Sequence, residues 1–141
     1  MATAAPQSID DVQDRIIREM SALGDRLDRY EYLIGLGREM ESPEGVRRDE
    51  YQVPGCQSRV WIRAEVKDGL LRLVADSDAL ITRGIVALLL RVLDGHPPAE
   101  VRDARLYFLD ETGLRAHLSP SRANGLGAMV EEIRMHARTW G

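Results

Sequence analysis

The feature that most constrains this chain is a change of hydrophobic period near its middle. Apolar side chains fall on alternate positions, first Val60, Ile62, Ala64 and Val66, then Leu71, Leu73 and Ala75. Period two places those residues on one face of a strand, with Arg59, Trp61, Arg63 and Glu65 on the other. The "KDG" between the runs supplies a tight turn, in which Gly69 can take a positive φ. Directly afterwards, "ADSDALITRGIVALLLRVLDGHPP" is apolar nearly all round, a pattern for a helix at the centre of a core. Asp76, Ser77 or Asp78 offers it an N-cap, with Asp76 and Asp78 favoured there by the helix dipole; Gly95 and Pro97 stop it beyond Leu93. A hairpin that feeds a central helix leaves few folds open, because the sheet must lay its apolar face on helices.

The flanking segments fit that frame. Ile9, Val12, Ile16, Met20 and Leu23 recur at helical spacing behind Ser8 and Asp11, which form a capping box. Gly24 breaks this helix, and Asp25 opens a second one carrying Leu27, Tyr30, Leu33, Ile34 and Met40, ended near Ser42 and Pro43. A short strand is expected over residues 50–53, stopped by Pro54, whose missing N–H suits a loop. "PPAEVRDARLYFLDETGL" reads as short helical pieces, and "LSPSRANGLGAMVEEIRMHARTW" as a last helix with Ser119 as N-cap and Pro120 at its first position. The expected fold class is α+β: a small antiparallel three-stranded sheet with helices covering one face. Residues 1–8 read as a disordered arm and 9–141 as a single domain, since 141 residues with 44% hydrophobic content suffice for one core.

Composition removes several classes of function. A formal charge of −4, with basic residues mixed among acids, argues against nucleic acid as a partner. The longest apolar run, 85–90, lies between Arg83 and Arg91 and falls far below the roughly 20 residues that span a bilayer, so no membrane is expected. "MATAAPQS" has no apolar leader and the lone cysteine forms no internal disulfide, so the chain reads as cytoplasmic. His96, His117 and His136 lack ligand spacing, and one cysteine does not make a Cys/His metal site. Gly35 with Gly37, and Gly125 with Gly127, do not follow a strand in a βαβ unit; they read as permitting close helix packing.

That one cysteine, Cys56, stands in "YQVPGCQSRVW", after a Pro-Gly pair and before the first strand of the hairpin. A thiol on a connecting loop is either a nucleophile with access to a partner or a small buried hydrophobe, and position alone leaves both open. Gly55 removes a Cβ beside it and widens the backbone geometries the loop can take.

Three stretches bear on the choice: "VPGCQSRVW" (53–61), "ADSDALITRGIVALLL" (75–90) and "LSPSRANGLGAM" (118–129). Together they closely resemble the SufE family, which includes the paralogue CsdE, in order from about Tyr30 to Ala137. The resemblance implies a SufE/IscU-like fold and a sulfur acceptor that works beside a PLP-dependent cysteine desulfurase of SufS or CsdA type. It implies that Cys56 takes persulfide sulfur from that enzyme, stimulates it, and passes the sulfur to a cluster-assembly scaffold for iron–sulfur cluster synthesis. No cofactor of its own is implied, the PLP being the desulfurase's, and no enzymatic turnover apart from that partner. Arg122 matches the Arg after Ser-Pro-Ser and is expected to stabilise a sulfur anion by charge, the alternative being a surface arginine or one holding loop carbonyls. Gly55, Gln57, Ser58 and Asp78 are the expected loop and partner-facing residues. The alternative function is a non-catalytic interaction or scaffold module; a scaffold like IscU needs three cysteines where this chain has one. A redox sensor would need a resolving cysteine. Monomer and homodimer both stay open.

Overall fold

The hairpin forms where the alternation places it. In a computed structural model describing residues 8–56 and 58–140, β1 (Val60–Lys67) and β2 (Leu70–Ser77) pair antiparallel from Val60 opposite Ser77 to Lys67 opposite Leu70. Asp68 and Gly69 close it with φ of 54° and 76°, the paired positive angles of a type I′ turn, which matches the twist of the strands. Val60, Ile62, Leu71, Leu73 and Ala75 are all buried. Against them lies α3 (Leu80–Leu93), whose buried residues run from Thr82 to Leu93 and make it the centre of the core.

Helices α1 (Ile9–Ser21) and α2 (Arg26–Glu39) precede the sheet, and both open with the expected capping box, Ser8 with Asp11 and Asp25 with Asp28. After α3 come α4 (Pro98–Asp103), α5 (Phe108–Glu111), α6 (Leu114–His117) and the long α7 (Pro120–Trp140). Ser119 Oγ accepts from the Arg122 N–H at the start of α7, as an N-cap does. Residues 1–7, the bulk of the expected N-terminal arm, lie outside the described residues, and Ser8 already belongs to the α1 cap.

The expected third strand is absent among the described residues, where the sheet has two. Asp49–Tyr51 curls into a 3-10 turn, and only Gln52 pairs with Trp61, as a single bridge. The Val53 N–H reaches the Val60 carbonyl at 2.8 Å, and then Pro54, with no N–H to give, ends the pairing. The second face of the sheet is not open at this end either. Trp61 is buried although it alternates with the core-facing set, because Arg47 lies 4.9 Å over its ring.

The acids before α3 are not its caps. The N-cap is Ala79 and no side chain caps the helix, because β2 continues through Asp76 to Ser77. Asp76 is buried and accepts from Arg47 Nε at 2.7 Å, from the Ser77 N–H at 2.8 Å and from Arg83 Nη1. Burial alone would push this carboxyl up, but Arg47, the Ser77 N–H and Arg83 outweigh it and hold it below the ordinary value. Arg83 also donates to the Gly37 and Met40 carbonyls, each at 2.6 Å, and so satisfies the C-terminal end of α2. One carboxylate therefore joins β2, α3, the end of α2 and the 41–48 segment.

The α2–α3 contact is close enough to exclude side chains. A Cβ on Gly84 would lie 2.1 Å from the Leu33 carbonyl oxygen, and one on Gly37 would lie 2.9 Å from the Gly84 nitrogen. Gly37 thus serves close packing as expected, whereas Gly35 and Gly127 have nothing within 4 Å of a built Cβ and do not.

Asp76→Asn keeps the volume and removes the charge, leaving two guanidinium groups facing a neutral amide. Denaturant melts should show a loss of about 3 kcal/mol at pH 7. Because the folded carboxyl titrates below its unfolded value of about 3.9, its contribution is complete above that pH and is lost as pH falls through the folded value. The gap between wild type and variant should therefore persist at pH 5 and narrow only below about pH 4.

Candidate functional site

The Cys56 loop is tied at both ends. At one end is the Val53 to Val60 hydrogen bond; at the other, the Arg59 N–H donates to Asp78 Oδ1 at 3.1 Å and the Arg59 carbonyl accepts from Ser77 Oγ at 2.8 Å. Gly55 turns the loop with φ of 85°, in the left-handed region that a side chain there would resist. The chain then brings Cys56 against α7, where its Sγ donates to the Gly125 carbonyl at 3.6 Å. Gly125 offers no Cβ: one built there would stand 3.7 Å from the sulfur, filling the contact.

Beside the thiol is a recess of about 240 Å3. Its floor is Thr82 and Ile85 of α3 with Gly125 and Met129 of α7, all buried. Its rim is Ser58, Ser119, Ser121 and Arg122. Ser121, Gly125 and Met129 are spaced by four along α7, so the helix turns one stripe toward the cavity. The first turn of this 21-residue helix also lies at the rim, where the positive end of the helix dipole favours negative charge. Cys56 is half-buried, and that burial pushes its thiol up from the ordinary value. The loop at rest therefore holds a protonated thiol, with Arg122 in reach of the same cavity.

The match to known proteins covers this whole arrangement. The family model described as "SufE: Fe-S metabolism associated domain" matches residues 14–137. The chain belongs to the SufE family. It is 39% identical over 130 residues to an uncharacterized SufE-like protein of Rhizobium meliloti, covering 88% of this chain and 93% of that one. It is 38% identical over 109 residues to the sulfur acceptor protein CsdE of Escherichia coli, covering 75% and 74%. The fold is shared with the solution structure of a hypothetical protein from Thermus thermophilus, with a TM-score of 0.75, 24% identity and 91% and 94% of the two chains covered.

Within this SufE-family chain the residues singled out in the sequence do not all converge. Cys56, Ser58 and Arg122 border one cavity although 66 positions separate Cys56 from Arg122 in the numbering. Gly55 shapes the loop, with Ala128 Cβ 3.5 Å from where its own Cβ would be. Asp78 does not line the recess; its carboxylate anchors the backbone at Arg59. Gln57 lies outside the described residues. Thr82, Gly125 and Met129 were missed. The α7 pair sits inside "LSPSRANGLGAM", where spacing by four was visible but not which way it faced, and Gly125 meets the thiol where helix packing was expected. Among the described residues no group of three His, Cys, Asp or Glu side chains could hold a metal, and no helix is long and apolar enough to cross a membrane.

A half-buried thiol with a raised pKa should alkylate slowly. Iodoacetamide labelling of Cys56, followed by mass, should show a pH midpoint above about 8.5, the value of a free thiol. A midpoint at or below that value would mean that the loop leaves the recess most of the time.

Proposed function

We propose that this chain is a sulfur carrier that takes persulfide sulfur from a cysteine desulfurase onto Cys56 and releases it to iron–sulfur cluster assembly. The observation that carries the reading is the juxtaposition of the single thiol, on a loop held at two anchors, with a recess bordered by Arg122 and a helix N-terminus. The relative named a sulfur acceptor supports it from a separate direction. In the transfer, the Cys56 thiolate attacks the outer sulfur of the enzyme's persulfide. The new S–S bond forms as the enzyme's own bond breaks, and the electron pair leaves with the enzyme's thiolate. Nothing is oxidised or reduced overall, so no cofactor of this chain is required; the PLP belongs to the partner.

The raised pKa of the thiol fits this use. Protonated in the recess, Cys56 is a poor nucleophile and is shielded from adventitious oxidation; the thiolate forms once the loop swings outward to meet a partner. Discharging the enzyme's persulfide is how such an acceptor stimulates the desulfurase, and the gain saturates as the docking site fills. The rim around Arg122 then serves the anion on its return.

Intact mass measured after mixing with desulfurase, PLP and cysteine should show one added sulfur atom on the wild type and none on Cys56→Ser, with binding retained, because a serine hydroxyl is hardly ionised at neutral pH. An unchanged wild-type mass beside an active, matched desulfurase removes the reading. Arg122→Ala should lower desulfurase stimulation several-fold while weakening the complex by less than about 1.4 kcal/mol, one factor of ten in affinity. Arg122→Lys should restore part of the loss, keeping the charge but not the planar fork. Normal stimulation by a folded Arg122→Ala protein would make Arg122 peripheral.

A further inference from the structure

The floor of the recess contains one side-chain hydroxyl with no visible purpose. Thr82 is only 5% exposed, and it lines the cavity beside Cys56. Threonines inside helices ordinarily return their hydroxyl to a carbonyl one turn back, as Thr139 in α7 does here at 2.9 Å and Thr112, just past the end of α5, does at 2.6 Å. Among the described residues Thr82 Oγ1 makes no such bond, and none of them donates to it. No side-chain nitrogen or oxygen among those residues is both sealed away and without a partner. The Thr82 oxygen therefore keeps a sliver of surface, and the void it borders is the recess. A hydroxyl that borders the cavity with no protein partner among these residues is free to donate to whatever enters it.

The thiol itself shows what that occupant needs. At rest the Cys56 S–H donates to the Gly125 carbonyl. A persulfide anion has no proton to give, so the same carbonyl, partner to the thiol, repels the anion, and the outer sulfur must turn toward a donor. Ser119, Ser121 and Arg122 on the rim are exposed, and water competes for them; Ser119 Oγ already accepts from the Arg122 N–H. Thr82 is the one buried residue among those lining the recess that carries a hydroxyl.

We infer that Thr82 is a positioning residue for the sulfur carried on Cys56: its hydroxyl donates to the outer sulfur of the Cys56 persulfide and holds it in the recess. This rests on the sulfur-carrier reading. It adds a hydrogen-bond donor at the cavity's inner end to the charge that Arg122 supplies at the rim. The donor strengthens the anion's hold because a hydrogen bond to a charged acceptor in a water-poor site exceeds a neutral one.

The test loads Cys56 by sodium polysulfide, so that no desulfurase is needed. The thiolate attacks a polysulfide sulfur, an S–S bond breaks, and the shortened polysulfide leaves with the electron pair. After desalting, cyanide removes the outer sulfur as thiocyanate and returns Cys56 as thiolate; the thiocyanate is measured against time and pH. Thr82→Val should discharge about tenfold faster than wild type and should ionise its persulfide at higher pH, because the hydrogen bond that favours the anion is gone. Thr82→Ser, which keeps the hydroxyl, should stay within about twofold of wild type. Thermal melts accompany each variant, and Thr82→Ala takes the place of valine if valine does not fold. Discharge of Thr82→Val at the wild-type rate and pH, or of Thr82→Ser at the valine rate, overturns the inference while leaving the carrier reading intact. A wild type that polysulfide loads but a matched desulfurase does not sinks the carrier reading instead, and this inference with it.

Discussion

The Asp76 carboxylate is the constraint on which the other parts of the site depend. It is buried at the end of β2, and a buried carboxylate without partners would be among the costliest groups in the core. Its partners are chosen so that satisfying it also builds structure. Arg83 is simultaneously the cap of α2, and Arg47 is simultaneously the cover of Trp61. The two helices cross with backbones nearly touching where Gly37 and Gly84 carry no Cβ, and that arginine reaches past the crossing to the acid. The frame that results is rigid where the Cys56 loop departs from it and returns to it.

On the carrier reading, Cys56 must both shelter in the recess and reach a partner, so the two ends of its loop must be held if the sulfur is to come back to the same cavity. Asp78 and Ser77 at one end, and the Val53 hydrogen bond at the other, hold them. The recess offers two surfaces in sequence: an exposed rim bearing Arg122 and serine hydroxyls, and an apolar floor with one hydroxyl in it. On the carrier reading, charge on the rim would act on an approaching anion, and the floor would offer it a hydroxyl in less water.

Much of this was legible in the order of residues alone. Period two followed by an all-apolar stretch placed the hairpin and α3, because each pattern is the direct imprint of burial on one chemistry of backbone. Caps at Ser8, Asp25 and Ser119 were readable since their bonds are local. What escaped were features set by partners far along the chain. Asp76 looks like a helix cap in sequence, and only the arrival of Arg47 and Arg83 makes it a buried ion cluster. Residues 50–53 look like a strand until the 3-10 turn and Pro54 leave them a single bridge. Trp61 sits on the polar phase of its strand, yet an arginine outside the sheet covers it. At the site, Cys56 and Arg122 were visible as chemistry and in a resemblance, but their common cavity belongs to the packing of α7 against α3. Thr82 carried no signal, since one threonine in an apolar helix reads as an ordinary core substitution.

The spacing of the loop's anchors has a metrical consequence. Cys56 stands three residues from Val53 and three from Arg59. An extended chain covers at most about 3.5 Å per residue, so the Cys56 Cα is on a tether of roughly 10 Å at either side, with the sulfur one side chain further out. Wherever the loop lies, that Cα remains within the overlap of two spheres of that radius centred on the two anchors. A donor sulfur seated deeper than that inside another protein is unreachable unless the surfaces themselves close the distance. On the carrier reading, the length of the tether is thus a gauge that would admit partners by the depth of their reactive atom as well as by their charge.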